Sequence, residues 1–172
     1  MNLYLLRHGI AAAKGEPDAE PDDERPLTAK GAKRMRRAAK GLRLLDIRVD
    51  GILTSPLFRA SQTAEIVAEA LNLQSALERL PALAPGNSVQ NLVSALSRFE
   101  SREHLVLVGH QPLLSETAAF LLGNKDESSL NISLKKGGIC RIEIDALPPR
   151  ERGTLYWLLA PKQLRLLGER SG

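Results

Sequence analysis

The sequence predicts an α/β fold, a three-layer αβα sandwich with a mostly parallel sheet and an antiparallel edge strand. Short apolar runs alternate along the chain with segments in which apolar residues recur at helical spacing. This alternation is typical of βαβ units, whose parallel strands need helices on both faces of the sheet. The length of 172 residues and the hydrophobic content of 43% suit a single domain, 1–172, that can bury a sizeable core.

Five segments are predicted to be strands because they are short, apolar and bounded by glycine, proline or polar residues. They are residues 2–6, 51–54, 104–108, 139–144 and 154–159. Pro148-Pro149 and Gly153 separate the last two, which favours an antiparallel pair.

Four segments are predicted to be helices from the spacing of their apolar residues. They are residues 28–45, 57–71, 88–96 and 112–122, each given with its capping residue where one is visible. Thr28 and Ser88 have the short polar side chains that cap helix N-termini. Residues 10–26, 73–87 and 123–137 are predicted to be connectors, and the tail after Pro161 is left unassigned.

The net charge of +4 and the pI near 9.5 raise the possibility of nucleic-acid binding. The basic residues concentrate in one predicted helix, as Lys30, Lys33, Arg34, Arg36, Arg37, Lys40 and Arg43. Such a run usually forms a solvated helix face, and no nucleic-acid motif or interleaved aromatic residues accompany it. We therefore expect no nucleic-acid partner.

Cysteine content and hydropathy exclude other classes of protein. The single cysteine, Cys140, excludes a disulfide framework and a multi-cysteine metal site. No apolar run approaches the roughly 20 residues that span a bilayer, and the apolar start before Arg7 is too short for a signal peptide. The expectation is a cytoplasmic, monomeric protein with no membrane partner.

Arginine and histidine side chains follow the first three predicted strands. Arg7, His8 and Gly9 follow the first, Ser55 follows the second with Arg59 one turn into the next helix, and Gly109 and His110 follow the third. Ligands of open α/β sheets bind beyond these carboxyl ends. Two arginines and two histidines without matching carboxylates suit an oxyanion such as phosphate. A neutral imidazole could also attack phosphorus as a nucleophile.

Four segments resemble the motif blocks of the histidine phosphatase superfamily and occur in that family's order. They are Leu6-Arg7-His8-Gly9, residues 53–64 (LTSPLFRASQTA, similar to "SPxxRAxQTA"), residues 107–112 (LVGHQP), and Arg25-Pro26-Leu27-Thr28 with Gly31. The last block is common in the small SixA-type phosphohistidine phosphatases. The resemblance extends over residues 1 to about 165 and implies a phosphoglycerate mutase-like fold.

The resemblance also implies a role for each of four side chains. His8 is expected to accept the phosphoryl group as the nucleophile, and water then hydrolyses phospho-His8. Arg7, Arg59 and His110 are expected to hold the phosphoryl oxygens. No cofactor and no metal are expected.

Four further residues complete the predicted substrate-binding set. By their position in a "D-x-x-R-P-L-T" segment, Asp22 and Arg25 match residues that line the site in SixA-type members. Ser55 is interpreted as a helix cap within reach of phosphate, and Gly9 allows ligand and backbone to approach closely.

The chain departs from the mutase-like branch of the family at the general acid. That branch carries a glutamate in the region after the second helix, where this chain reads LPALAPG over residues 80–86. Ala82 in this region cannot donate a proton, and Glu78 lies several residues earlier. An alkoxide leaving group needs such an acid, whereas the imidazole of a phosphohistidine is far less basic. The short connectors also leave little material for a lid over a small substrate. Both features favour phosphohistidine on a protein, such as a bacterial phosphorelay carrier domain involved in signal transduction.

Three other functions remain open from the sequence. A general phosphomonoesterase acting on a small metabolite would need an acid such as Asp22. A non-catalytic phosphohistidine-binding module would bind without turnover. A metallohydrolase would use His8 and His110 as ligands, and would lose activity with a chelator.

Overall fold

The computed structural model describes residues 1–13, 21–123 and 130–169, and a six-stranded sheet lies at its centre. The strands are β1 (Asn2–Arg7), β2 (Gly51–Thr54), β3 (Leu77–Arg79), β4 (His104–Gly109), β5 (Ile139–Glu143) and β6 (Thr154–Leu159). Their order is β3-β2-β4-β1-β5-β6. The first four strands in this order are parallel, whereas β5 pairs antiparallel with both β1 and β6. The predicted fold class is confirmed, with antiparallel pairing confined to one end of the sheet.

Helices cover both faces of this sheet. They are α1 (Ala29–Arg43), α2 (Phe58–Leu71), α3 (Val89–Leu96), α4 (Leu113–Leu121) and α5 (Pro161–Glu169). Tyr4 and Leu6 of β1 belong to a buried cluster with α1, α2 and α5, whereas Leu3 and Leu5 belong to a second cluster with α3 and α4. Successive strand residues point to opposite faces, so this one strand contributes to both cores.

Two elements escaped the sequence analysis. The connector 73–87 contains β3, whose three residues Leu-Glu-Arg are partly exposed and lack a strand-like pattern. It forms because β2 offers it a parallel partner. The unassigned tail forms α5, which crosses α1 closely, since a Cβ on Gly41 would lie 1.8 Å from the Leu164 carbonyl oxygen. Both elements depend on tertiary contacts.

The remaining helix predictions are confirmed to within one or two residues at each end. Thr28 Oγ1 accepts a hydrogen bond from the Gly31 amide at 2.9 Å, and Ser88 Oγ accepts one from Asn91 at 3.1 Å, as expected of N-caps. Cys140 is buried in β5, and burial raises the pKa of its thiol to about 12. Among the described residues, no helix is long and apolar enough to cross a membrane.

Candidate active site

The carboxyl ends of β1, β2 and β4 meet at one edge of the sheet and carry the site. Arg7 is in register with Gly109, and Thr54 is in register with Val108. The pairing continues beyond the strands, because the His8 amide donates to the Gly109 carbonyl at 3.1 Å. The structure therefore brings the residues after these three strands together, as the sequence predicted.

His8 is buried and held in one orientation. Its side chain is 7% exposed, and Nδ1 lies 2.7 Å from the Gly9 carbonyl oxygen. A carbonyl oxygen can only accept, so Nδ1 carries the proton and the lone pair is on Nε2. The His110 ring lies beside it, with ring centroids 5.0 Å apart. His8 thus has the tautomer that a nucleophilic Nε2 requires.

Both imidazoles are neutral at pH 7. Burial, followed by the nearby charges of Arg59 and Arg7, lowers the pKa of His8 to about 4, although the bond to Gly9 opposes the shift. Burial and the adjacent His8 lower the pKa of His110 to about 3. Desolvation disfavours the charged ring, so the uncharged form of each persists well below its ordinary pKa of 6.5.

The two arginines of the site are also held by the protein. Arg59 is 4% exposed and donates from Nη1 to the Asp22 carbonyl and from Nη2 to Asp22 Oδ2 at 3.2 Å. Arg7 donates from Nη1 to the Leu134 carbonyl at 2.9 Å. Burial lowers the pKa of each guanidinium, yet arginine stays charged at any physiological pH.

Three buried nitrogens of the site have no hydrogen-bond partner among the described residues. They are Arg7 Nε, Arg59 Nε and His110 Nδ1. Buried polar atoms are rarely unpaired, and each such atom calls for an explanation. An oxyanion would accept hydrogen bonds from both guanidinium groups and from a protonated His110 Nδ1, so the three atoms fit a phosphoryl group.

Asp22 connects the predicted loop residues to this cluster. Its Oδ1 accepts from Arg25 Nε at 3.1 Å and Nη2 at 2.7 Å, while its Oδ2 accepts from Arg59. Arg25 Nη1 also donates to the Ala12 carbonyl at 2.6 Å. Asp22 therefore positions both arginines at once.

Ser55 is not the N-cap that the sequence predicted. The N-cap of α2 is Leu57, and it has no side-chain capping bond. Ser55 Oγ instead lies 2.8 Å from His110 Nε2 and accepts the Leu57 amide at 3.3 Å. The Gly9 amide donates to Thr63 Oγ1 at 3.0 Å, so it holds the backbone after His8. Ser55 orients His110, and phosphate contact by Ser55 or Gly9 stays a prediction.

Sequence reasoning missed several supporting residues. Thr63 links Gly9 to the Arg59 carbonyl, and Gln62 Oε1 accepts the Leu27 amide at 2.7 Å. Both lie inside the "QTA" of the second motif block, which was the available signal. The Leu134 carbonyl accepts from the Arg7 side chain, and the Gly138 carbonyl accepts from the Arg7 amide. No sequence signal predicts these backbone contacts.

The segment that would carry a general acid contains none at the expected position. Ala82 is buried in a short 3₁₀ turn, Pro81–Leu83. Glu78 lies in β3, is half-exposed, and has its carboxylate 3.8 Å from Arg98. Within the described parts of the chain, no group of three or more His, Cys, Asp or Glu side chains could hold a metal ion.

The two low histidine pKa values predict that acid destabilises the fold. Unfolded histidine binds a proton near pH 6.5, whereas folded His8 and His110 do so only near pH 4 and 3. The unfolded state thus binds more protons in this window, and the free energy of unfolding falls by about 1.4 kcal/mol per pH unit per histidine below pH 6.5. Urea unfolding between pH 7 and about pH 5 measures this slope. The slope should be shallower in His110→Gln, and equal slopes would contradict the burial of a neutral His110.

This chain is similar to known proteins in its match to a family model, in its sequence and in its structure. A family model described as the histidine phosphatase superfamily (branch 1) matches residues 3–84. An uncharacterized protein of Picosynechococcus sp. is 41% identical over 168 residues, 95% of this chain and 99% of the relative. The phosphohistidine phosphatase SixA of Escherichia coli is 32% identical over 169 residues, 96% of this chain and 98% of the relative. A solved structure of the protein histidine phosphatase SixA complexed with tungstate has 30% identity, a TM-score of 0.82, and coverage of 95% of this chain and 99% of that one.

Proposed function

The chain belongs to the histidine phosphatase superfamily, and from this membership we propose that it hydrolyses phosphohistidine on a protein through a covalent phospho-His8 intermediate. The family model is named for histidine phosphatases, and the SixA relative is named for phosphohistidine. The recognition made from the motif blocks is thereby confirmed. The partner protein, its place in a phosphorelay, the cytoplasmic location and independence of metal belong to the proposal.

One observation carries the proposal: the unpartnered buried nitrogens of Arg7, Arg59 and His110 cluster around a neutral His8. A protein catalyses phosphoryl transfer mainly by positioning the reacting groups and by stabilising the charge on the phosphoryl oxygens. The solved SixA structure with tungstate, a tetrahedral oxyanion, supports the same interpretation.

The reaction follows from this geometry in two steps. His8 Nε2 attacks phosphorus, the P–N bond to the substrate histidine breaks, and its imidazole leaves with a proton from solvent or from its own ring. Arg7 and Arg59 stabilise the charge on the transferring phosphoryl oxygens. Water then attacks phospho-His8, which releases phosphate and restores the neutral imidazole.

Because Ala82 cannot donate a proton, the site favours substrates whose leaving group departs without a general acid. An alkoxide departs slowly without a proton donor, whereas an imidazole is a much weaker base. Asp22 accepts hydrogen bonds from Arg25 with one carboxylate oxygen and from Arg59 with the other, so both oxygens are already engaged by cations. The site thus favours a P–N substrate over an ordinary phosphomonoester.

Phosphate release from a histidine-phosphorylated protein domain and from an aryl phosphate, each with a chelator present, tests the proposal. We expect fast release from the protein, slow release from the ester, and no effect of the chelator. The reverse preference would establish a phosphomonoesterase, and binding without release would establish a binding module. Loss of activity with the chelator would favour the metallohydrolase.

A series of aryl phosphates tests the missing acid directly. Without proton donation, the rate should fall steeply as the pKa of the leaving phenol rises, because negative charge on the departing oxygen is not neutralised. The measurement is kcat/KM across the series, with the spontaneous leaving-group dependence as reference. A flat dependence would mean that a general acid operates at this site.

A further inference from the structure

A second basic cavity adjoins the active site on the α1 and α5 side of the sheet. This α1–α5 pocket has a volume of about 180 Å³. Five cationic side chains line it: Arg34 of α1, Lys135 and Lys136 of the segment before β5, and Lys162 and Arg165 of α5. Among the described residues, no Asp or Glu side chain lines it.

The charges of this pocket are not neutralised by the residues that the structure describes. None of the five cations forms an ion pair or side-chain hydrogen bond with any described residue. Elsewhere the protein does pair its cations, as Arg37 does with Glu169 at 3.2 Å and Arg59 does with Asp22. Unpaired like charges in one cavity repel each other, and the described residues supply no reason for their convergence.

Helix stability does not supply that reason. The first turns of α1 and α5 carry no acidic residue, although a negative charge there is favourable. Lys30 and Lys162 instead stand near the positive ends of the two helices. Within the basic run of α1, Lys30 is therefore unfavourable for its helix, whereas Lys40 and Arg43 lie in the last turn, where positive charge is favourable. An external anion would reverse that cost, since the N-terminus of α5 also faces the pocket.

The pocket lies beside His8. Gly9, which follows His8 in the chain, lines the pocket, and the charge of Lys136 is one of those that lower the pKa of His8. Ile10, Met35 and Ala38 form an apolar floor under the cationic rim. A ligand whose phosphoryl group lies at His8 would extend its neighbouring groups over this surface.

We propose that the α1–α5 pocket binds carboxylate side chains that flank the phosphohistidine on the partner protein. This inference rests on the proposed function and adds the chemistry of the partner: an acidic surface around its phosphorylated histidine. Carboxylates match both the charge of the rim and the small volume of the cavity, and aliphatic stems of Asp and Glu suit the apolar floor. Opposite potentials also speed the encounter of two proteins, and salt weakens that effect.

Two synthetic phosphohistidine peptides test this pocket. One has Asp and Glu around the phosphohistidine, and the other has Asn and Gln at the same positions. We expect the wild-type protein to hydrolyse the acidic peptide with a kcat/KM about tenfold higher at low salt, an advantage that shrinks as salt is added. Arg34→Glu/Lys162→Glu should lose this preference, because its kcat/KM falls by a larger factor for the acidic peptide than for the neutral one.

Arg36→Glu/Lys40→Glu is the matched control. It makes the same four-unit charge change as the double variant on the exposed surface of α1, but Arg36 and Lys40 line a different cavity. It should keep most of the preference for the acidic peptide. Equal rates on both peptides with wild type, or an equal loss of preference in Arg36→Glu/Lys40→Glu, would overturn the pocket while leaving the proposed function intact. Failure to hydrolyse either peptide would overturn both the proposed function and the pocket. If RNA competed as well as the dephosphorylated acidic peptide, the pocket would be a general polyanion-binding surface, and its proposed specificity for a partner's carboxylates would be overturned.

Discussion

Replacement of His8 by alanine is expected to lower kcat by roughly four orders of magnitude or more, the scale of loss when an enzyme nucleophile is removed. Nε2 of His8 is the atom that forms the bond to phosphorus, and the bond from Nδ1 to the Gly9 carbonyl fixes its tautomer. No neighbouring side chain can substitute, because His110 Nε2 is engaged with Ser55 Oγ. The measurement is single-turnover phosphate release from a phosphohistidine-bearing protein domain.

The controls separate chemistry from folding. His104→Gln changes a histidine at the opposite end of β4 and should keep wild-type kcat. His8→Asn retains a polar side chain at a position that is only 7% exposed. The thermal unfolding midpoint of both His8 variants should lie within a few degrees of the wild-type midpoint. A His8→Ala protein that is folded and retains more than about a hundredth of the wild-type kcat would contradict the nucleophilic role.

Replacement of Arg59 by methionine is expected to lower kcat by about 10²–10³-fold, the usual effect of removing one donor that stabilises transition-state charge. Methionine keeps much of the apolar volume of the buried side chain and removes the guanidinium. Arg59→Lys should recover only part of the activity, because lysine keeps the charge but lacks the planar fork. The measurement is kcat and KM on the same phosphohistidine substrate.

Arg59→Met has a second readout that a purely structural role would not change. The charge of Arg59 is one cause of the low pKa of His8, so its loss should raise that pKa from about 4. The acid limb of the kcat/KM profile should therefore move to higher pH. Arg98→Met, which removes an exposed arginine opposite Glu78, should change neither kcat nor the profile. An unchanged acid limb in Arg59→Met would contradict the electrostatic coupling.

The central fold could be predicted because its signals are local. The buried runs of β1 and β4 and the caps Thr28 and Ser88 determine their elements without reference to the rest of the chain. β3 could not be predicted, because a three-residue edge strand forms only where a neighbouring strand offers hydrogen bonds. The same holds for α5, whose close approach to α1 depends on glycines in both helices, Gly41 and Gly168.

The candidate site was predictable in composition but not in arrangement. The carboxyl ends of parallel strands meet, so the order of motifs placed His8, Arg59 and His110 together. The sequence did not reveal that Asp22 uses one carboxylate oxygen for each of two arginines. It also could not indicate the Leu134 carbonyl that holds Arg7, because every residue has such a carbonyl.

The most direct test of the account is to trap the enzyme during turnover of a phosphohistidine substrate. A rapid quench in base, where phosphohistidine is stable, followed by peptide mapping, locates any covalent phosphate. The account predicts phosphate on the peptide that contains His8, formed and lost at the rate of turnover, and absent in His8→Ala. Turnover without a phosphoenzyme, or with phosphate on a residue other than His8, would contradict it.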